Sequence, residues 1–411
     1  MSIMETGHTL NHGASPRDWA AFKILVGGML GMVVAMGIGR FAFTPILPLM
    51  QRDLGMSNTV AGWLAGLNYL GYLAGAVLCT IAPQFLRSRY FGGSALLLSL
   101  GTTIFMGLTL SAFWWGCLRL AGGVASAILF IVISAEAGES LARRGYGHWF
   151  GALYGGIGLG IALSGLIIPQ FDKAGGWSTA WMGVGGFAVI CAVAGMALGR
   201  TQDYSLPPAS EETPLSGGLR SIWLLGIAYF LEGLGYIVTA TFLVAIIAMT
   251  PGMETFAPYS WVAVGLAAVP STIFWPYLGR RIGNKRVLLA TYTIQIAGIL
   301  VSRHATSIIE VLFAAVSFGG TFLGIVALTL AEGNRRMGKD GRRAAAFLTA
   351  SFSVGQMLGP VIAGMLADRQ DGFSLPLLLA AASVTLGVLF IAADRRYQPH
   401  KPEKGAISCR T

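Results

Sequence analysis

Charged residues are scarce in this chain. Asp, Glu, Lys and Arg together make up 11% of its 411 residues, whereas hydrophobic residues make up 55%. A soluble globule of this length needs more polar side chains to cover its surface. Apolar runs of about 20 residues, the length at which a helix crosses a bilayer, and a mean hydropathy of +0.67 indicate instead a protein with many membrane spans.

Residues for metal, redox and nucleotide chemistry are also few. The 4 cysteines are isolated, and no pair has the spacing of a metal or redox motif, so we expect free thiols, no metal site and no cofactor. The Gly-rich phosphate loop that ends in Lys-Ser or Lys-Thr does not occur, so transport driven by ATP bound to this chain is unsupported. Residues 1–19 lack the short apolar core and cleavage site of a secretory signal, so the first span is expected to act as an uncleaved anchor.

The basic residues lie mainly in short gaps between the apolar runs. Gaps rich in Lys and Arg alternate with gaps that together hold only Arg52, Lys173, Arg303 and Arg369. Cytoplasmic loops attract Lys and Arg, so the basic-rich gaps and both termini are predicted to face the cytoplasm. A net charge of +10 would suggest nucleic acid as the partner of a soluble protein, but here topology and the anionic headgroups of the lipid bilayer explain it.

The apolar runs predict an all-α membrane protein with twelve transmembrane helices. Helices are favoured over a barrel because a barrel would show alternation over about ten residues. An even number of spans places both termini on the same side. The predicted spans cover residues 20–50, 59–82, 91–112, 113–135, 149–171, 177–199, 221–250, 259–278, 287–303, 307–331, 344–367 and 373–393.

A polar, proline-containing stretch at residues 200–220 cannot span a bilayer and divides the spans into six and six. The two parts also match at a single offset, which carries Glu136 to Glu332 and Arg89 to Lys285 and favours duplication. The sequence therefore predicts two pseudo-symmetric six-helix halves. The predicted segments are a cytoplasmic tail at 1–19, an N-terminal half at 20–199, a cytoplasmic linker at 200–220, a C-terminal half at 221–394 and a second cytoplasmic tail at 395–411.

Several motifs resemble those of the major facilitator superfamily. The loop Gly-Arg-Arg-Ile-Gly-Asn-Lys-Arg at 279–286 is similar to the basic loop motif of that family, and Arg-Leu-Ala-Gly-Gly at 119–123 is similar to its fourth-helix motif. Residues 37–50 resemble the first-helix signature of the YbfB-like branch. The resemblance covers essentially the whole chain. It implies the major facilitator fold, a central cavity lined by spans 1 and 7, and transport of a small molecule by alternating access.

Arg40 lies within the first apolar run. A charge at mid-bilayer costs about 2.5 to 3.5 kcal/mol, so its side chain should face protein or a watery cavity and have a partner. A guanidinium offers a planar fork of donors, which suits capture of an anionic substrate group. The alternatives are a structural ion pair and snorkelling to the outer headgroups.

Glu232 lies within the seventh span, on one helical face with Tyr229, Tyr236 and Thr239. This polar stripe indicates a cavity lining, and its alternative is a polar seam between helices. A carboxyl group in apolar surroundings favours its protonated form, and a nearby arginine favours the carboxylate, so Glu232 is a candidate proton carrier. We hypothesise that Arg40 is its partner, for which a substrate anion would compete.

Further candidates follow from position. Arg119, in the fourth span, is a candidate for proton coupling by resemblance, with a structural link to backbone carbonyls as its alternative. Glu136 and Glu332 end spans 4 and 10 beside basic loops and, with Arg280 and Arg281, are candidate gating residues. Secondary cavity candidates, each of which is more often a packing hydrogen bond, are Asn68, Tyr72, Tyr154, Gln295, Ser353 and Gln356.

These observations favour a monomeric secondary transporter, and not an enzyme, in the cytoplasmic membrane of a bacterium. It is expected to move a small organic solute with an anionic group and to couple transport to protons. Uptake or exchange without proton coupling is an open alternative, as is the direction of transport. A lipid-modifying enzyme would need a nucleophile, paired acids or metal ligands at membrane depth, and a receptor on a transporter fold would usually add soluble segments.

Overall fold

The computed structural model describes residues 16–199 and 218–397. The linker predicted at 200–220 and the two predicted tails fall largely outside these ranges. Within them the chain forms only helices and connecting turns, so the predicted all-α class is confirmed. The α-helices are α1 (Pro16–Met32), α2 (Phe43–Leu54), α3 (Asn58–Ile81), α4 (Arg89–Phe105), α5 (Ala112–Arg143), α6 (Phe150–Leu153), α7 (Gly155–Leu198), α8 (Trp223–Ala248), α9 (Ala257–Ile282), α10 (Asn284–Ser302), α11 (Ile308–Met337), α12 (Gly341–Arg369) and α13 (Ser374–Ala393).

The first apolar run is interrupted near its middle. A π-helical segment, Val33–Ile38, follows α1, and a turn over residues 39–42 precedes α2. Pro45 lies in the first turn of α2, where its missing N–H is tolerated, although it could not continue a regular helix from α1. Local π-helical segments occur frequently at functional sites. Arg40 sits in the turn that this interruption creates.

The described helices include ten stretches long and apolar enough to cross a membrane, against the twelve predicted. One stretch, Gly147–Leu198, contains two of the predicted spans, and α7 turns between them at Gly176, where φ is 73°. Positive φ is a conformation that glycine adopts at little cost. The ninth predicted span corresponds to α10, which begins with Asn284, Lys285 and Arg286 and is not among these ten stretches. The count of twelve stays a prediction.

Helix α3 packs closely against α12 at the end of the bundle where α3 begins and α12 ends. A Cβ atom on Gly62 would lie 2.2 Å from the carbonyl oxygen of Pro360, so a side chain there would collide with the α12 backbone. The Asp368 carboxylate accepts hydrogen bonds from the backbone N–H groups of Asn58 (3.0 Å) and Thr59 (2.7 Å). It thereby satisfies donors that the start of a helix leaves unpaired. These contacts hold the two helices together at this end.

Two further contacts close the same end of the bundle. Gly165 brings α7 against the start of α9, since a Cβ on Gly165 would lie 2.9 Å from the Pro258 carbonyl oxygen. Arg52, at the end of α2, forms salt bridges with Asp53 at 2.6 Å and with Asp172 of α7 at 2.7 Å. Helices from both sides of the predicted linker are therefore joined at this end.

Candidate functional site

Arg40 is buried, with 4% of its surface exposed, and aromatic rings surround its charge. Its guanidinium carbon lies 4.2 Å from the centroid of the Tyr72 ring and 4.6 Å from that of Tyr69. Such cation–π contacts stabilise a desolvated cation by about 2 kcal/mol. None of the salt bridges within the described residues involves Arg40. The side chain is thus neither part of an ion pair nor extended to the headgroups.

Gln356 of α12 links Arg40 to α8. Nη2 of Arg40 donates a hydrogen bond to Oε1 of Gln356 at 2.9 Å, and Nε2 of Gln356 donates to the Tyr236 hydroxyl.

Residues matched by the internal repeat also meet here. The Thr44 hydroxyl donates to the Ala240 carbonyl at 2.6 Å, and these two residues lie 196 positions apart. This is the offset that relates Glu136 to Glu332, and it also relates Arg40 to Tyr236. Residues matched by the internal repeat therefore meet around Gln356.

Tyr236 belongs to a group of six aromatic side chains from four helices that pack against one another, and we call this group the ring column. Their planes are close to parallel: the angle is 9° between Tyr236 and Phe352, and 13° between Phe318 and Phe322. Phe41, next to Arg40, packs against the column through its contact with Phe322 at 6.1 Å. The members of the ring column are Tyr229, Tyr236, Trp261, Phe318, Phe322 and Phe352.

Buried polar atoms without a partner lie in and beside this region. Among the described residues, Nε of Arg40, Oγ of Ser353 and Nε1 of Trp261 have no hydrogen-bond partner. Leaving such a group unpaired costs about 1 to 3 kcal/mol. All three groups can donate a hydrogen bond. The region is therefore suited to an acceptor, such as an anion.

Glu232 is buried, with 1% of its surface exposed, but Arg40 is not its partner. The carboxyl group lies beside Gln295 of α10, and its Oε2 has no hydrogen-bond partner among the described residues. At about 100° per residue, Glu232 is turned roughly 40–60° around the helix from Tyr229 and Tyr236, which stack on Phe352 of α12. The side chains of the predicted stripe therefore meet two different helices: Glu232 faces α10, and Tyr229 and Tyr236 face α12. The structure does not form the hypothesised pair of Arg40 with Glu232.

Arg119 lies behind the turn that carries Arg40. Its Nε and Nη2 donate long hydrogen bonds, both 3.4 Å, to the backbone carbonyls of Leu64 and Arg40, and its guanidinium lies 4.8 Å from the Phe43 ring. The Asn68 amide donates to the Arg119 carbonyl at 2.9 Å. This geometry matches the alternative of a structural link to backbone carbonyls. Arg119 therefore supports the Arg40 backbone, and Asn68 joins α3 to α5.

The remaining cavity candidate, Tyr154, lies in a different environment. Its hydroxyl donates to the Ser134 hydroxyl at 3.3 Å, and its ring stacks on Phe130 with centroids 5.5 Å apart. The structure therefore brings Tyr72, Tyr236 and Gln356 to Arg40 and places Tyr154 against α5.

Among the described residues, the gating candidate Glu332 forms salt bridges with arginines other than Arg280 and Arg281. Glu332 is buried and forms salt bridges with Arg335 and Arg336 of its own helix, the latter at 2.7 Å. Arg280 and Arg281 are exposed, and Arg281 lies over the Tyr277 ring at 5.2 Å. Glu332 meets Arg335 and Arg336 because residues three and four positions further along a helix are its nearest neighbours on the helix surface. That spacing is a sequence signal that could have identified Arg335 and Arg336.

Arg336 extends this network to the segment after α13. It forms a second salt bridge with Asp394, at 2.6 Å, and its guanidinium lies 4.3 Å from the Tyr397 ring. Glu136, the repeat equivalent of Glu332, is only half-buried, and no hydrogen bond or ion pair of it is seen within the described residues. The two glutamates therefore have different surroundings.

The described residues contain no group of three or more His, Cys, Asp or Glu that could hold a metal ion. The site is built from one buried arginine, one amide and aromatic rings. These groups can bind an organic ligand.

Comparison with known proteins points to a membrane transporter. The sequence profile of the family described as "Uncharacterised MFS-type transporter YbfB" matches residues 32–392. The chain is 27% identical over 385 residues to the "Uncharacterized transporter YycB" of Bacillus subtilis (strain 168), which covers 88% of this chain and 90% of that relative.

Two solved structures have a similar fold. The nucleoside transporter NupG superposes with a TM-score of 0.69 at 15% identity, covering 91% of this chain and 98% of that one. A bacterial homologue of the human lysosomal transporter Spinster, in an inward-facing and unoccupied conformation, superposes with a TM-score of 0.68 at 15% identity, covering 94% and 98%. At such identities the similarity shows the fold alone.

Proposed function

Since this chain belongs to the YbfB-like family of major facilitator superfamily transporters, we propose that it carries a small organic anion across the bacterial cytoplasmic membrane in exchange for, or together with, protons. As a member of that family it is a multi-pass membrane transporter and not an enzyme. The substrate, the proton coupling and the alternating-access mechanism are the proposal.

The proposed topology has twelve spans in two halves. The segment from α1 to α2 forms the first span, and α3, α4 and α5 form the second to the fourth. The arm of α7 before Gly176, with α6, forms the fifth span, and the arm after Gly176 forms the sixth. The helices from α8 to α13 form the other six. With cytoplasmic termini, the end at which α3 begins faces outward. Contacts of Gly62 with Pro360 and of Asp368 with the start of α3 then seal the outer end.

The observation that carries the proposal is the environment of Arg40. A buried guanidinium without an acidic partner is costly in a low-dielectric interior, and an anionic substrate would relieve that cost. The cation–π contacts with Tyr69 and Tyr72 stabilise the charge but leave its Nε donor unused. The guanidinium donates a hydrogen bond to the neutral amide oxygen of Gln356. A carboxylate in place of that oxygen would accept a stronger, charge-assisted hydrogen bond.

Glu232 is the proposed proton carrier. It is the acidic residue at membrane depth on α8, where a carboxyl group can be neutral or charged as its surroundings change. Because it contacts α10 and does not contact Arg40, protonation would act through the packing of α8 and not by direct competition with the substrate. An exchanger without proton coupling is the second candidate, since the separation of Glu232 from Arg40 would allow it.

Transport by purified protein in liposomes tests this function. A panel of small organic acids, amines and neutral solutes is offered with and without an imposed pH gradient. Flux of organic acids that the gradient accelerates, that Arg40→Gln abolishes and that the exposed-residue control Lys173→Gln retains would support the proposal. Counterflow of acids that ignores the gradient would favour exchange. Lipid turnover without solute, or ligand binding without flux, would contradict a transporter.

A further inference from the structure

The ring column has one loose region. Tyr229 and Phe352 stack with centroids 4.2 Å apart, whereas Tyr236 lies 6.0 Å from Phe318 and 6.3 Å from Phe322. Stacked aromatic pairs in proteins span about 4.5 to 7 Å, so the contacts on this side of Tyr236 are at the wide end of the range. The rings there are nevertheless close to parallel, at 23° and 12°. Both spacings exceed the 5.3 Å between Tyr236 and Phe352, and the 6.4 Å between Phe318 and Trp261 continues this wide side of the column.

This loose region is next to the charged group. Tyr236 accepts a hydrogen bond from Gln356, and Gln356 accepts one from Arg40, so a single side chain separates the guanidinium from the ring column. The amide of Gln356 is planar, with an oxygen on Arg40 and a nitrogen on Tyr236. A planar carboxylate attached to a planar ring could occupy the same position, with a carboxylate oxygen bound to Arg40 and the ring beside Tyr236.

The unpaired donors fit the same ligand. Ser353 lies three residues before Gln356 and therefore on the same face of α12. Trp261 is a member of the ring column and packs against Phe41, the neighbour of Arg40, at 6.5 Å. Both have a buried donor without a partner, as has Nε of Arg40. A carboxylate has about four lone-pair sites, and it can accept from several donors at once.

We propose that the substrate is a planar aromatic carboxylate, whose carboxylate binds Arg40 and whose ring stacks in the ring column beside Tyr236. The inference rests on the proposed transport of an organic anion and names its chemical class. An aliphatic acid would satisfy Arg40 without using the parallel ring faces. An amine would be repelled by the guanidinium.

Matched ligands on the unmodified protein test the inference. Benzoate and cyclohexanecarboxylate carry the same charge at similar size, but only benzoate has a planar π face. Their dissociation constants are measured by calorimetry on protein in lipid nanodiscs. Stacking on one or two rings predicts that benzoate binds about tenfold more tightly. Equal affinity would overturn the aromatic class.

Variants place the effect in the ring column. Phe322→Leu removes a ring that lies parallel to Tyr236 in the loose region and should reduce the preference for benzoate to about threefold or less. The control Phe113→Leu alters a ring that is 71% exposed and should leave the preference unchanged. An unchanged preference in Phe322→Leu would overturn the proposed position of the ring. If the two acids bind equally and Arg40→Met weakens both, the anion site stands and the aromatic class fails. If neither acid binds, the proposed anion site itself fails.

Discussion

Arg40 and Gln356 form a hydrogen bond across 316 positions of the sequence, with Nη2 of the arginine donating to Oε1 of the amide at 2.9 Å. The arginine lies in the turn before α2, and the glutamine lies in α12. A neutral oxygen thus faces a buried cation at the point where a carboxylate would bind most strongly. The first and the last of the predictions below depend on this relationship.

Gln356→Glu should act like a bound anion. A carboxylate at this position would pair with Arg40, compete with the substrate and weaken the binding of organic acids about tenfold to a hundredfold, because hydrogen bonds to charged groups contribute about 1.5 to 3 kcal/mol. Gln356→Met is the matched control, since it also removes the amide but adds no charge. Calorimetric titration of benzoate into both variants measures the difference. Equal affinities in the two variants would show that the oxygen of Gln356 does not occupy the anion position.

Glu232→Gln should separate proton coupling from substrate binding. The carboxyl group contacts α10 and does not touch Arg40, so we expect the affinity for organic acids to change less than about threefold, well under 1.4 kcal/mol. Flux in liposomes should lose its acceleration by a pH gradient. The measurement compares the two quantities in the same preparation. Acceleration equal to that of the unmodified protein would remove Glu232 from the coupling mechanism.

Glu332→Gln should destabilise the protein. The substitution leaves Arg336, itself buried, without one of its two carboxylate partners, and breaking a buried ion pair costs about 3 to 5 kcal/mol. Glu139→Gln is the control, because its salt bridge with Arg143 has the same helical spacing on partly exposed side chains and should contribute no more than about 1 kcal/mol. Thermal unfolding of both variants at one scan rate compares them. A shift in Glu332→Gln no larger than that in Glu139→Gln would contradict the role of this network.

Gly62→Ala should open the sealed end of the bundle. Its new Cβ would meet the Pro360 carbonyl at 2.2 Å and force α3 away from α12. Gly93→Ala in α4 meets nothing within 4 Å and should be neutral or slightly stabilising. Spin labels at Leu54 and Gln370, both exposed at this end, report the distance across it. A distance distribution unchanged in Gly62→Ala would show that this seam does not hold the end closed.

Much of the architecture is predictable because it depends on short-range patterns. Run lengths and composition are sufficient for the all-α membrane class, and motif residues are sufficient for the family, which the match over residues 32–392 confirms. The interruption of the first run at Val33–Ile38 was not predicted. A π-helical segment depends on how neighbouring helices pack, as at Gly37, where a Cβ would lie 2.5 Å from Cα of Gly160.

The site is less predictable because its contacts join distant segments. Periodicity places Glu232 with Tyr229 and Tyr236 on one face, but the directions of α10 and α12 decide which neighbour each side chain meets. Arg40 and Gln356 are both sequence candidates, yet nothing in their spacing predicts that they bind each other. The ring column draws on four helices, and its phenylalanines read as ordinary apolar residues in the sequence.

The charge preference of the site tests the role of Arg40 most directly. Benzoate and benzamide have nearly the same shape and differ in charge, and their dissociation constants are measured for the unmodified protein and for Arg40→Met in nanodiscs. We predict that the unmodified protein prefers benzoate by at least about tenfold, corresponding to about 1.4 kcal/mol, and that the preference disappears in Arg40→Met. A preference that persists in Arg40→Met, or equal binding of the two ligands to the unmodified protein, would contradict anion recognition by Arg40.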